Sequence, residues 1–255
     1  MTDLPDAVPG RSLAALRRRS IFLLPNLFTT AALFAGFYAI VQAMNGRFEL
    51  AAVAIFVAMV LDGLDGRVAR LTHTQSEFGA QYDSLSDMVS FGVAPALVMY
   101  EWALKDLGKL GWIAAFIYCA GAALRLARFN VNIDVVDRRY FQGIPSPAAA
   151  ALLAGLVWVF DDFGIDRELW LSLIACAFTI FAGITMMTNL PFYSFKEYNL
   201  RRAVPFSAIL AVVGGLAVVS LRPSMVLFLL CLTYAVSGYV LWGTGTRVRR
   251  TRELP

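Results

Sequence analysis

From Pro25 onward the chain is a succession of apolar runs about as long as a bilayer is thick, each ended by charged or turn-forming residues. A run of roughly 20 residues rising about 1.5 Å each spans the hydrocarbon layer, where a backbone deprived of water must bond to itself. Helices are therefore expected. The runs fall at 25–44, 48–71, 79–102, 110–131, 146–161, 168–188, 203–221 and 224–243, which predicts an all-α, polytopic membrane protein of about eight transmembrane helices. No strand alternation, soluble domain or fixed-period repeat is evident. One membrane domain, 25–243, is expected between a basic N-terminal segment, 1–24, and a basic tail, 244–255. With 16% charged residues, against about a quarter in soluble domains, composition leads to the same class.

Arg17, Arg18 and Arg19 precede a first run that is long and has no small-residue cleavage site, so that run is expected to stay in the mature protein. With eight spans, basic residues sort by side. Arg11 to Arg19, Arg67, Arg70, Arg125, Arg128, Arg138, Arg139, Lys196, Arg201, Arg202 and Arg247 to Arg252 fall together, against Arg47, Lys105, Lys109, Arg167 and Arg222. Short cytoplasmic loops carry the excess of Lys and Arg, so both termini are expected in the cytoplasm. The arginines gather at the ends of apolar runs instead of forming a basic surface interleaved with aromatics, so no nucleic acid is expected as partner. Membrane lipids are. Cys119, Cys176 and Cys231 sit far apart inside apolar runs and predict neither disulfide nor thiol chemistry.

Four aspartates break this pattern. Each carboxylate at mid-bilayer depth opposes insertion by roughly 2.5–3.5 kcal/mol, so four need compensation, most simply by divalent metal. In Asp62-Gly-Leu-Asp65-Gly66-Arg67-Val-Ala69-Arg70, positions 62, 65, 66, 69 and 70 share one helical face. Gly66 leaves bare backbone there for a close approach, and Arg70 offers a guanidinium fork for phosphate oxygens. In the next run, Gly79, Asp83 and Asp87 follow at intervals of four, again one face. A short link through Thr72, His73 and Glu77 should pack the two runs antiparallel and bring all four carboxylates into one pocket near the cytoplasm. All-oxygen ligands suit hard cations, Mg²⁺ or Mn²⁺, and four anions could hold two ions. Two ions beside an arginine suit phosphoryl transfer, with one carboxylate free to take a proton.

These residues reproduce Asp-x-x-Asp-Gly-x-x-Ala-Arg followed by Gly-x-x-x-Asp-x-x-x-Asp, without a departure, and resemble the signature of the CDP-alcohol phosphatidyltransferase family. The resemblance implies a six-helix core, displacement of CMP from a CDP-linked lipid by an alcohol, Asp62, Asp65, Asp83 and Asp87 as ligands of two metal ions, and Asp87 also as the base. It implies Gly66, Ala69, Arg70 and Gly79 at the CDP-diacylglycerol, with Asn26, Thr29 and Ser76 as further contacts. Helix capping after Pro25 is the alternative for Asn26 and Thr29, an ordinary loop serine that for Ser76. The stretches Tyr82 to Ala96, Arg125-Leu-Ala-Arg128-Phe-Asn and Phe141 to Pro147 are similar to the bacterial membrane-embedded members that use L-serine. That implies Arg125 and Arg128 on the serine carboxylate or lipid phosphate, the bacterial inner membrane, an active site facing the cytoplasm and a homodimer. Anchoring by snorkelling side chains is the other reading of the two arginines. Sister enzymes taking glycerol 3-phosphate or inositol phosphate, and a divalent-cation transporter, are the rival functions.

Overall fold

The structure is a computed structural model and describes residues 13–72, 74–131, 140–193 and 206–244. His73, Arg11, Arg138, Arg139, Lys196, Arg201, Arg202 and the Arg247 to Arg252 tail lie outside the described residues. The helices are α1 (Leu13–Met44), α2 (Phe48–Thr72), α3 (Glu77–Asp87), α4 (Ala94–Met99), α5 (Lys109–Val131), α6 (Ser146–Asp162), α7 (Leu169–Met187), α8 (Phe206–Leu221) and α9 (Pro223–Gly243). A two-stranded antiparallel ribbon, β1 (Tyr140–Gln142) with β2 (Pro191–Tyr193), pairs Phe141 with Phe192. The all-α expectation missed this ribbon because three residues are too few to show alternation.

By length and composition, Leu24–Met44 within α1, α5, α7 and α9 can each cross a membrane. At 17 and 16 residues, α6 and α8 fall short of the usual 20. Side-chain size is distributed as lipid exposure requires. The interior holds Ala39, Ala51, Ala58, Ala114, Ala122 and Ala149, whereas Leu27, Phe34, Phe37, Trp112 and Phe116 point outward. Without a hydrophobic force between helices, small residues that let backbones touch supply the attraction. Between α5 and α7, a Cβ on Gly121 would strike the Gly183 carbonyl oxygen.

Two helix boundaries differ from expectation. α1 begins at Leu13 and runs through Pro25, so Asn26 and Thr29 lie inside a helix and cap nothing. The third run is a composite rod: α3 passes into a π turn (Met88–Val93), then α4, a second π turn (Tyr100–Leu104) and a 3₁₀ turn (Lys105–Leu107). Pro95 explains the first break. It has no N–H for the Phe91 carbonyl and its ring crowds that oxygen in a regular helix, so the chain widens just before it. The buried Tyr118 hydroxyl of α5 donates to Phe91 O at 2.9 Å instead.

The expected direct packing of the second and third runs also needs correction. α1 lies along α2 and also against α3, whereas α2 and α3 make little backbone contact. Polar side chains choose that arrangement. Ser86 Oγ donates to Thr29 O and Ser90 Oγ to Ala32 O, both at 3.1 Å, and Tyr82 shares a hydrogen bond with Thr30. A cleft therefore stays open between α2 and α3 at the end where their acids lie. Close approach at Gly36 holds it: a Cβ there would lie 2.6 Å from Ser90 Oγ and 2.7 Å from Ser90 Cα. Gly36→Ala is expected to destabilise the protein by about 1–3 kcal/mol, the usual scale of overpacking. A lowered thermal midpoint of the detergent-purified variant checks it; an unchanged midpoint would mean that α1 yields freely.

Candidate active site

Three helices deliver the expected residues to one end of the molecule. Asp62 and Asp65 stand on the last turns of α2, Asp83 and Asp87 on α3. Single carboxylate oxygens of Asp62, Asp83 and Asp87 all lie within 4.8 Å of one another. Asp65 borders this group and interacts with Asp62 and Asp83, but it is buried against α1, where its Oδ2 accepts from Thr29 Oγ1 at 2.7 Å. Thr29 thus joins α1 to α2 at the depth of the acids.

Three ionised carboxylates at this spacing repel one another unless a cation or a shared proton intervenes. Asp87 Oδ1 is buried and accepts no hydrogen bond from the described residues, as an oxygen that serves a cation would be. Hard oxygen donors, no nearby thiol and an orphaned buried oxygen fit Mg²⁺ or Mn²⁺. These residues could hold a metal ion.

Around the acids, the cleft is left clear. A Cβ on Gly66 would meet only the Arg70 Nη1, at 3.6 Å, so the bare turn is open for a ligand and Arg70 reaches over it. Arg70 is exposed and has no hydrogen-bond or ion-pair partner among the described residues. The carbonyl of Ala69 accepts from Thr74 N at 3.1 Å and turns the chain out of α2. Ser76 caps α3, its Oγ accepting from Gly79 N at 3.0 Å. A Cβ on Gly79 would crowd Ser76 Oγ at 3.1 Å and lie 3.4 Å from Asn26 Oδ1, so Asn26, Ser76 and Gly79 form one small polar corner. Ser76 is therefore more than an ordinary loop serine.

Arg125 and Arg128 do not act as a pair. Arg125 is buried, donates from Nη1 to Ser146 Oγ at 2.6 Å, and feels the charge of Asp87. Arg128 turns to the frayed end of α7. Its Nη1 and Nη2 lie within 3.2 Å of the carbonyl oxygens of Gln142, Met186, Met187 and Thr188 and of Asn189 Oδ1, so it satisfies carbonyls that a helix end leaves without partners. Neither arginine snorkels. Spacing missed Ser146, which Gly143, at a φ of 77°, and Pro145 deliver to the start of α6. Its only sequence signal was the turn chemistry of Gly143 to Pro147.

With this geometry, likeness to known proteins becomes decisive. The family model described as CDP-alcohol phosphatidyltransferase matches residues 22–188, more than half of the chain. The chain belongs to the CDP-alcohol phosphatidyltransferase family. Among its relatives is a Helicobacter pylori protein named CDP-diacylglycerol–serine O-phosphatidyltransferase, 35% identical over 87% of this chain and 92% of that protein. A Mycobacterium leprae protein of the same name is 34% identical over 86% of this chain and 74% of its own length. One from Methanocaldococcus jannaschii is 36% identical over 73% and 81%. Each of the three relatives shares most of its own length with this chain.

Proposed function

We propose that the protein is a CDP-diacylglycerol–serine O-phosphatidyltransferase of a bacterial inner membrane, with residues 25–243 forming the catalytic domain. One arrangement carries the reading: Arg125 is buried with donors to spare beyond its bond to Ser146 Oγ, in a molecule whose Asp62, Asp83 and Asp87 gather their carboxylate oxygens within 4.8 Å of one another. An acceptor with a hydroxyl beside a carboxylate matches that pairing. Its carboxylate takes the planar fork of Arg125 while its hydroxyl lies toward Asp87.

Asp87 takes the hydroxyl proton as the serine oxygen bonds to the phosphorus carrying diacylglycerol. The bond from that phosphorus to the bridging oxygen breaks, and CMP leaves with the electron pair. Arg70 and the polar corner of Asn26, Ser76 and Gly79 orient the nucleotide and diphosphate over Gly66. Two divalent ions on Asp62, Asp65, Asp83 and Asp87 would neutralise the diphosphate and the leaving phosphate. The excess of basic residues at this end favours a cytoplasmic face for the site, where the soluble reactant, L-serine, is available.

An acceptor panel tests this. Purified protein with CDP-diacylglycerol and Mn²⁺ should release CMP on addition of L-serine and not of glycerol 3-phosphate or inositol phosphate. Preference for a phosphorylated alcohol would overturn the choice of acceptor, and release with none of them the enzymatic reading.

A further inference from the structure

Arg125 and Arg128, neighbours on α5, hold the two ends of one short passage of chain, Gln142 to Ser146. We propose that Arg128 is a positioning residue: by clamping the passage that ends in Ser146, it orients the Arg125 guanidinium for the acceptor carboxylate and so helps to set which alcohol reacts. This assignment rests on the serine reading above.

Two cross-links fix the depth of Arg125 against the acids. Tyr118 Oη donates to Phe91 O at 2.9 Å, and Asn130 Nδ2 donates to Ser84 Oγ at 3.1 Å. α5 follows the third run after a tight turn at Gly108 and returns along it, so these bonds pin two antiparallel rods at two points. Between the pins, Arg125 lies seven of twelve residues along α5, and Asp87 four of seven along its partner. Both stand just past halfway. Tyr118 and Arg125, seven residues apart and both buried, also share one helical face.

Ser146 is the fixed point on the other side. Its buried Oγ accepts from Arg125 Nη1 at 2.6 Å. One of five guanidinium donors is spent there, and the direction of that bond constrains where the others point. Ser146 ends the passage from β1 into α6, and two backbone bonds lay that passage on the end of α7: Gly143 N donates to Leu190 O at 2.9 Å and Ile144 N to Thr185 O at 3.4 Å. A Cβ on Gly143 would lie 2.5 Å from Met186 O and 2.9 Å from the oxygens of Thr185 and Thr188, so the passage runs through a crowd of carbonyls.

Arg128 holds that crowd together. Its Nη2 lies 3.0 Å from Gln142 O on the passage and 3.2 and 3.1 Å from Met186 O and Thr188 O on α7, while Nη1 takes Met187 O and Asn189 Oδ1, each at 3.1 Å. A planar fork can serve both sides at once. Without it, the bed under the passage loosens, and Ser146 no longer holds Arg125 in one orientation.

The test measures CMP release with L-serine and with serinol, which keeps the hydroxyl and amine and lacks the carboxylate. Arg128→Lys keeps the charge but concentrates three donors at one point, so it cannot bridge the passage and α7. It should raise the KM for serine about tenfold, the scale of one charge-assisted hydrogen bond. The preference for serine over serinol should narrow by a similar factor, with kcat and the KM for CDP-diacylglycerol within about twofold of wild type. Ser146→Ala should act in the same direction. Because the two residues work in series, the double variant should be no worse than the worse single one. Multiplying effects in the double variant overturn the proposal, as does an unchanged serine KM in Arg128→Lys or an equal loss with both acceptors, which would assign Arg128 to upkeep of the fold alone. Should Arg128→Lys not survive purification, Asn189→Ala removes one exposed partner of Arg128 and carries the same expectation at about twofold to threefold; an unchanged serine-to-serinol ratio there overturns the proposal. Wild-type protein that ignores serine altogether would instead overturn the functional reading, and this assignment with it.

Discussion

Asp87→Asn is expected to lower serine-dependent CMP release by about 100-fold to 10,000-fold, the usual contribution of a positioned proton acceptor. Asparagine keeps the size of the side chain and cannot accept the proton, so loss of activity with retained fold isolates the chemistry. A second readout separates the carboxylate from its surroundings. Asp62, Asp83 and Asp87 repel one another across less than 4.8 Å, so removing one charge should leave the metal-free thermal midpoint equal or higher. Ligands that bind the native state raise the midpoint by mass action, and the rise that Mn²⁺ gives the wild type should shrink in the variant. Asp62→Asn, Asp65→Asn and Asp83→Asn are expected to lose activity in the same direction. A fully active Asp87→Asn would remove this residue as the base, and an undiminished Mn²⁺ effect would remove it as a ligand.

Arg125→Ala should reduce kcat/KM for serine by about 100-fold or more, because truncating one partner of a buried, hydrogen-bonded charge pair typically costs 2–5 kcal/mol. Two structural consequences accompany it. Ser146 Oγ loses a 2.6 Å partner, and the acidic end of the molecule loses a nearby positive charge. Arg125→Lys should recover little, since one ammonium cannot offer a planar fork and at the same time hold Ser146. Steady-state CMP release at varied serine, with CDP-diacylglycerol saturating, checks both variants. Near wild-type kcat/KM in Arg125→Ala would place the acceptor carboxylate elsewhere in the cleft.

Much of the site was legible because its information is local. Asp62, Asp65, Gly66 and Arg70 share a face through helix periodicity alone, and so do Gly79, Asp83 and Asp87. The structure places both sets where that periodicity expects. The cleft between them was not legible, because it depends on Ser86, Ser90 and Tyr82 bonding to α1. Arg125 and Arg128 show the same limit. Three residues apart on one helix, they looked interchangeable; one is buried beside Asp87 and Ser146, the other closes the end of α7. Nothing in the spacing of two arginines tells which elements will pack on either side of them.

By itself, then, the sequence determined the helical membrane class, the acidic face on each of two helices and the chemistry those faces can perform, since hydropathy and a 3.6-residue period are properties of neighbouring residues. Tertiary structure alone decided that α1 would hold α2 and α3 apart, that Asp65 would answer to Thr29, and that a residue as distant as Ser146 would accept a hydrogen bond from Arg125. Contacts of that kind arise from backbones meeting at small residues such as Gly36, Gly155 and Gly238, and which glycine receives which partner is settled only when the helices pack.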